Sequence, residues 1–280
     1  MVWNWQLPDW PDFRFLRERL AERETAFLRQ TGVVIGTLRH FADDQRLPLI
    51  IDLISTEAQK TSEIEGELLD RDSVQSSLRR QFGLQTGDTR TRPGEHGIAQ
   101  MLSEVYQHSA TPLDAETLRR WHAWSMQGRG DLNVVGGYRT HAEPMQIVSG
   151  PDYAAKVHFE APPSTAVARE MDRFIARFND TAPSGARGLP ALVRAGLVHL
   201  YFESIHPFED GNGRIGRALS EKALAQGAGQ ATLTALSLTI QRRRKSYYEQ
   251  LAAASKTLAV DAWLDWFSET VLAAQAHTLA

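Results

Sequence analysis

Residues 205–217 read Ile205-His206-Pro207-Phe208-Glu209-Asp210-Gly211-Asn212-Gly213-Arg214-Ile215-Gly216-Arg217, and their reading decides the fold. Gly211, Gly213 and Gly216 carry the GxGxxG spacing of a dinucleotide-binding turn. That reading needs a preceding strand and a βαβ unit. What precedes is 189–203, where Leu192, Val193, Leu197, Leu200 and Tyr201 recur at helical spacing. A helix there excludes the parallel-sheet fold. Pro207 breaks this helix. Gly211 and Gly213 leave backbone N–H groups open to a ligand, and the chain re-enters a helix near Ile215. A glycine-rich turn feeding a helix N-terminus is an anion site. Arg214 and Arg217 stand three apart and project from one face of the first turn. Their forks match phosphate oxygens. Asp210 beside them suits magnesium, which takes one or two carboxylates plus substrate phosphates. His206, at the mouth of the loop, suits a general base near neutral pH. The pieces describe a nucleotide-phosphate site with a base beside it.

Outward from this stretch, helical periodicity dominates. Phe13, Leu16, Leu20, Phe27, Leu28, Val34, Leu38 and Phe41 predict an amphipathic helix over 13–41, with Asp12 as its N-cap. Gly32 and Gly36 weaken its continuity. A second helix is expected over about 48–70 and a short one over 74–82. Residues 83–97 hold four Gly and one Pro and read as a linker. The expected domains are therefore 1–90, a helical regulatory part, and 95–280, a catalytic core. Helices follow over 98–106 and 115–126, the latter N-capped by Asp114. Between 128 and 164 the chain becomes turn-rich, and 145–148 with 156–159 predict a β-hairpin around Gly150-Pro151. Helices resume over 167–178, 189–203, 215–225, 246–254 and 260–274. The fold class is all-α with one small hairpin.

Composition narrows the function classes. The chain has 280 residues, 42% hydrophobic and 23% charged, which is enough to bury a core unaided. With no cysteine it has no disulfide, no Cys-ligated metal and no thiol nucleophile. Lys+Arg is 31 and Asp+Glu is 34, a net charge of −3, which argues against a broad nucleic-acid surface. No signal peptide opens the chain, and no window approaches the roughly 20 apolar residues of a membrane span. The expectation is a soluble cytoplasmic protein.

The run HPFEDGNGR-x-x-R resembles the signature of the Fic family (filamentation induced by cAMP), HPFx[DE]GNGRxxR, at every specified position. More loosely the resemblance spans 113–272. The N-terminal WNWQLPDWPDF resembles a helical domain of unknown function that often precedes Fic domains in bacterial proteins. The resemblance implies an all-α Fic-type bundle with a hairpin flap, and an enzyme that transfers AMP from ATP, with Mg²⁺, to a Ser, Thr or Tyr hydroxyl of a protein target. It gives His206 the role of base, Asp210 that of Mg²⁺ ligand, and Gly211, Asn212 and Gly213 that of phosphate cradle. Arg214 is expected on the α/β region and Arg217 on the γ-phosphate, with Phe208 a core anchor. Met145, Gln146, Ile147, Val148 and His158 fall in the target-docking flap. Either Tyr247 or Tyr248 packs on the adenine, and core packing is an equal reading for both.

Thr61, Glu65 and Gly66 match the loose pattern [ST]xxxE[GN]. Taken alone, the stretch reads as a solvated helix face, since Glu57, Glu63 and Glu67 lie nearby. The resemblance implies an inhibitory helix that sets Glu65 on Arg217 and bars ATP, as in the second of the family's three classes. Gly66 is then expected to permit close backbone approach.

Several features have plainer readings. The tryptophans at 3, 5, 10, 121, 124, 263 and 266 read as packing anchors. His199 reads as a satisfied core histidine, His122, His141 and His158 as isolated, and 242–245 as a solvated basic helix start. Three other functions stay open. One is transfer of another phosphate-containing group, such as UMP, phosphocholine or a γ-phosphate. Another is removal of AMP, and the third is a regulatory or DNA-associated module. Family members often carry a winged helix after the core. The chain ends at Ala280 with no recognition-helix pattern, so that domain is expected to be absent or truncated. A homodimer through apolar helix faces also stays open.

Overall fold

The computed structural model describes residues 2–86, 91–149, 156–232 and 234–278. Among these the elements are α1 (Ala21–His40), α2 (Asp43–Ile64), α3 (Arg71–Gln81), α4 (Pro93–Gln107) and α5 (Ala115–Ser125). The strands β1 (Gln146–Ser149) and β2 (Lys156–Glu160) come next. They are followed by α6 (Ser164–Asp180), α7 (Ala191–Ile205), α8 (Asn212–Ala228), α9 (Leu236–Arg242), α10 (Arg244–Ala254) and α11 (Asp261–Thr278). The protein is all-α with one antiparallel hairpin. No described helix is long and apolar enough to cross a membrane.

The fold is organised around α7. Every residue of α7 except Glu203 is buried, which is why its sequence is apolar all round rather than striped. Helix α8 packs along it, and α11 crosses it where Gly196 leaves room: a Cβ there would lie 2.8 Å from Leu264. The Trp263 indole N–H donates to the Gly196 carbonyl at 2.8 Å. Helix α1 lies on α11 and α7, and α2 on α9 and α3. Phe27, Ile54, Leu102, Phe202 and Trp263 belong to one continuous apolar core.

Two core helices take their N-terminal caps from far away in sequence. The Glu24 carboxylate on α1 accepts the Leu192 and Val193 N–H groups at the start of α7, at 2.8 and 3.1 Å. Glu57 on α2 accepts the Ser237 N–H at 2.9 Å and also its hydroxyl, at the start of α9. First-turn N–H groups have no intrahelical partner, so a carboxylate there satisfies them and complements the helix dipole.

Some sequence expectations need correction. The first long helix begins at Ala21, not at 13. Arg14 is instead held in an isolated parallel bridge to Ala259, with its N–H on Leu258 O and its C=O accepting from Val260 N–H. Asp12 caps nothing; its carboxylate pairs with Arg177 at 3.1 Å. Gly32 and Gly36 do not interrupt α1. Helix α2 starts five residues before Pro48 and stops at Ile64. The second half of the supposed linker is helical, because Pro93 opens α4 and Glu95 accepts the Arg92 N–H at 3.0 Å. Residues 87–90 of that linker, and the hairpin tip with Gly150-Pro151, lie outside the described residues. Asp114 does cap α5, through Thr117 N–H at 2.7 Å. Helix α9 was not expected at all.

Helices α4 and α5 touch at Gly97, where an added Cβ would collide with the Trp124 backbone. Backbone cannot yield as a side-chain tip does. Gly97→Ala is expected to cost at least about 2 kcal/mol, read as a lower midpoint in thermal or urea unfolding. An unchanged midpoint would contradict this packing.

Candidate active site

The site forms where α7 ends and α8 begins. His206 is the C-cap of α7 and sits in the left-handed region, φ 49° and ψ 61°, a conformation costly for a residue with a Cβ. Arg139 holds it there. This guanidinium, 1% exposed, donates to His206 O at 2.8 Å and to Pro162 O at 2.5 Å. The Arg139 N–H bonds Pro207 O at 2.9 Å. Phe208 is fully buried and stacks on His122, with centroids 4.1 Å apart and planes at 4°, so it is the anchor the sequence suggests. His122 is not isolated: its Nδ1 accepts the Gly136 N–H at 2.9 Å, and burial pushes its pKa down to about 4.

Asn212 closes the loop on itself. Its side chain accepts from Phe208 N–H at 3.0 Å and donates to Phe208 O at 2.9 Å. Only its backbone remains to face a ligand. Gly211 caps α8 with φ 78°, where a Cβ would also meet Met126 at 2.7 Å. At Gly213 a Cβ would overlap the Glu65 carboxylate and approach Arg217 to 3.0 Å. The glycines thus leave a hollow at the N-terminus of a 17-residue helix, which Met126 and the Glu65 carboxylate fill.

Every charge around that hollow is paired internally. Arg217, 1% exposed, donates through Nη2 to Glu65 Oε1 at 2.7 Å and to Thr61 O at 2.9 Å, and through Nε to Thr61 Oγ1 at 2.7 Å. Burial works against its charge, but Glu65, with Tyr247 and Glu203 adding to it, holds the guanidinium above its ordinary pKa. Arg214, 4% exposed, pairs with Glu67 Oε2 at 2.6 Å. Asp210 pairs with Arg129 Nη1 at 2.7 Å and accepts its neighbour Gly211 N–H at 2.6 Å. Burial works against that carboxylate too, but the Gly211 and Arg129 bonds hold it below its ordinary pKa. Arg214 Nε and Arg217 Nη1 are buried without a partner, as donors waiting for an anion would be. Among the described residues no three His, Cys, Asp or Glu side chains converge on a metal cage. A lone carboxylate next to a phosphate hollow fits magnesium, which keeps water and phosphate oxygens as its other ligands.

Sequence reading took Glu67 for part of a solvated helix face and gave Arg129 no role. It also gave the wrong reason for Gly66. Nothing lies within 4 Å of a Cβ at Gly66, but its φ is 86°. Gly66 N–H bonds Glu63 O, and Glu67 N–H bonds Ser62 O, each at 3.0 Å. That is a Schellman end to α2, and it requires a left-handed residue after the C-cap. The turn sets Glu65 and Glu67 against the two arginines. Of the tyrosine pair, Tyr247 is 1% exposed and its hydroxyl bonds His199 Nε2 at 2.7 Å, while Tyr248 is 41% exposed. His199 also bonds Ser220 at 3.1 Å, as a satisfied core histidine should.

Beside the hollow opens a cavity of about 1020 Å³. His206, Glu65 and Gly213 line it, together with Ile147 and Val148 of the hairpin and Tyr248 and Leu251 of α10. Met145 and Gln146 start the hairpin, and His158 hydrogen-bonds Ser149 at 2.5 Å. Glu203, also missed, reaches within 3.7 Å of His206 Nδ1. Burial, with Glu65 nearby, pushes its pKa up to about 8. The imidazole is driven the other way: burial, then Arg139, push His206 down to about 4.

Known proteins supply a comparison for this geometry. Residues 112–224 match the Fic/DOC family model, and residues 3–84 match the domain of unknown function DUF4172. A search of curated proteins returned no match. A Fic family protein from Desulfovibrio desulfuricans shares 22% identity at TM-score 0.67, covering 92% of this chain and 74% of its own. A Fic domain containing signaling protein from Bacteroides thetaiotaomicron shares 16% at TM-score 0.67, covering 90% and 95%. Fic-1 from C. elegans shares 17% at TM-score 0.60, covering 93% and 73%. At these identities the likeness is one of fold.

A histidine with its pKa lowered to about 4 keeps the neutral form as pH falls through the ordinary histidine range and gains its proton only below. The ¹⁵N shifts of His206 are expected to show a neutral ring from pH 8 down to pH 5.5. A midpoint near 6.5 would contradict the buried neutral imidazole.

Proposed function

Because the chain carries a Fic/DOC domain over 112–224, we propose that it is a protein adenylyltransferase held off by its own N-terminal glutamates. Members of that family transfer AMP or other phosphate-containing groups to proteins. The observation that carries the reading is Arg217, buried to 1% exposure and already neutralised by Glu65 beside His206 and the glycine turn that the Glu65 carboxylate fills.

In this reading ATP lies with its phosphates over Gly211, Asn212 and Gly213, its α/β region on Arg214 and its γ-phosphate on Arg217. Asp210 is the residue that would hold magnesium, which supplies further charge neutralisation on the phosphates. His206, neutral at physiological pH, takes the proton of a target Ser, Thr or Tyr hydroxyl. The freed oxygen attacks the α-phosphorus, the bond to the β-phosphate oxygen breaks, and pyrophosphate leaves. Positioning and charge stabilisation do most of the work. Tyr248, rather than buried Tyr247, offers its ring to the base. The protein target then docks along the hairpin at Met145, Gln146, Ile147, Val148 and His158.

Autoinhibition in this reading has two contacts. Glu65 stands where Arg217 would take the γ-phosphate. Glu67 stands on Arg214, where the α/β region would go. A second reading, removal of AMP from a modified protein, is favoured by the Glu65 carboxylate, 25% exposed on the wall that His206 also lines; it could orient a water there.

Incubation with α-³²P-ATP tests the reading. Glu65→Gly is expected to raise self-labelling at least about tenfold, since an uncompensated buried ion-pair partner is worth ~3–5 kcal/mol. His206→Ala in the same background should abolish it. Equal labelling of wild type and Glu65→Gly would end the autoinhibition reading. Release of label when wild-type protein is mixed with pre-labelled chain would favour removal. Calorimetry separates the two contacts. Glu67→Gln should tighten ADP, which lacks a γ-phosphate, by several-fold, whereas Glu65→Gly should tighten ATP more than ADP.

A further inference from the structure

Among the described residues the hairpin that walls the cavity is a sheet of two strands. β1 pairs with β2 from Gln146↔Glu160 to Ser149↔Lys156, with an irregularity after Ile147. All four β1 residues are exposed. An isolated two-stranded hairpin is marginal in water and needs an apolar face packed on something else. The single fully buried strand residue is Phe159, and what it is buried against is the start of the chain.

Trp3, Phe159 and Ala161 form a small apolar cluster separate from the main core, with Trp5, Met145 and Val157 packed around it. The Trp3 and Phe159 rings meet edge to face at 5.4 Å and 73°. The Trp5 indole N–H donates to Glu160 O at 2.7 Å, so it takes a backbone acceptor of β2. Between the two tryptophans Asn4 is fully buried. Its amide donates to Ser204 Oγ on α7 at 2.8 Å, and its backbone N–H to Ser255 O at the end of α10 at 2.7 Å. Residues Asn4–Gln6 form one 3-10 turn. This short turn is thus bolted to α7 two residues before His206, to the helix carrying Tyr248, and to the hairpin.

We propose that the Trp3-Asn4-Trp5 turn is a positioning element for the hairpin: it supplies the missing floor and fixes the strands' angle to His206. The residues lie within the matched domain of unknown function, 3–84, and this gives its first residues a task distinct from that of Glu65. The same N-terminal part then acts on the cavity twice, directly through Glu65 in its wall and indirectly through the two indoles that seat the hairpin. That the hairpin receives the target rests on the proposed transferase reading. That it is seated by the tryptophans does not.

The test needs no nucleotide, so its outcome and that of the transferase reading are independent. Hydrogen exchange of the full chain is compared for wild type, Trp3→Ala and Trp5→Phe. The last keeps an aromatic ring while losing the indole donor and part of the ring's area, a milder change that guards against misfolding. Strand segments 144–149 and 156–161 are expected to exchange at least about tenfold faster in Trp3→Ala, and detectably faster in Trp5→Phe, with segments of α7 and α8 unchanged. The chain has no cysteine, so spin labels at Ser149→Cys and Glu249→Cys report one distance. That distribution should be narrow in wild type and broadened by Trp3→Ala. Unchanged strand exchange and an unchanged distribution would overturn the proposal. Faster exchange spread evenly over α7, α8 and α10 would overturn it as well, because the turn would then only add general stability.

Discussion

A guanidinium buried to 1% exposure must be compensated, and much of this structure follows from how Arg217 is compensated. Removing a charge from water costs several kcal/mol unless an opposite charge and good hydrogen bonds replace the solvent. Within α8 nothing offers them. They come instead from α2, some 150 residues earlier, as the Thr61 carbonyl and hydroxyl and the Glu65 carboxylate. The arginine that a phosphate would need is thereby also a clamp between the two ends of the sequence. Any ligand that takes Glu65's place must offer comparable negative charge, which a terminal phosphate does and a neutral molecule does not.

The clamp is one of several contacts of the same kind. Glu24 caps α7, Glu57 caps α9, and Asn4 bridges α7 and the end of α10. In each case a polar group from the first sixty residues satisfies a backbone or hydroxyl group that the later helices leave open. Such bonds matter more for what their loss would cost than for their net contribution, since an unsatisfied buried donor carries the full desolvation penalty. Helix α7 is therefore both the most buried element and the one most dependent on N-terminal residues for its ends. The loop that carries His206 hangs from its last residue, so the geometry at His206 inherits that dependence.

This pattern also explains what the sequence disclosed. Helix α7 and the loop after it were legible because their signals are local: a continuous apolar run, Pro207, and glycines at fixed spacing. Asp114 was legible because its cap bond spans three residues. Helix α9 was not, since its start is marked by Glu57 and not by any neighbour of Leu236. The false start at Asp12 had the same origin: Arg14 is tied to Leu258 and Val260, and no periodicity records that. Glu67 read as a solvated charge and Arg129 drew no reading, because only the folded chain brings them to Arg214 and Asp210. Tyr247 and Tyr248 are adjacent in sequence and opposite in environment, a distinction set by which side of α10 faces His199.

The two halves of the Arg217 clamp differ in kind, and the difference decides which of them an anion can replace. Thr61 lies in the body of α2, itself 1% exposed, and offers neutral acceptors. Glu65 lies past the last helical residue, on the Schellman turn closed by Gly66, and its side chain is 25% exposed. Withdrawing the carboxylate needs a change at the turn; withdrawing Thr61 would need the whole helix to move, against the Glu57 bonds to Ser237. A phosphate that displaces Glu65 would therefore meet a guanidinium still oriented by Thr61 through two hydrogen bonds. The charge would be exchanged while the direction is kept. Retained orientation is what allows charge stabilisation without reorganisation at the moment of reaction. One threonine and one glutamate, four residues apart, thus divide the labour between orienting the arginine and neutralising it.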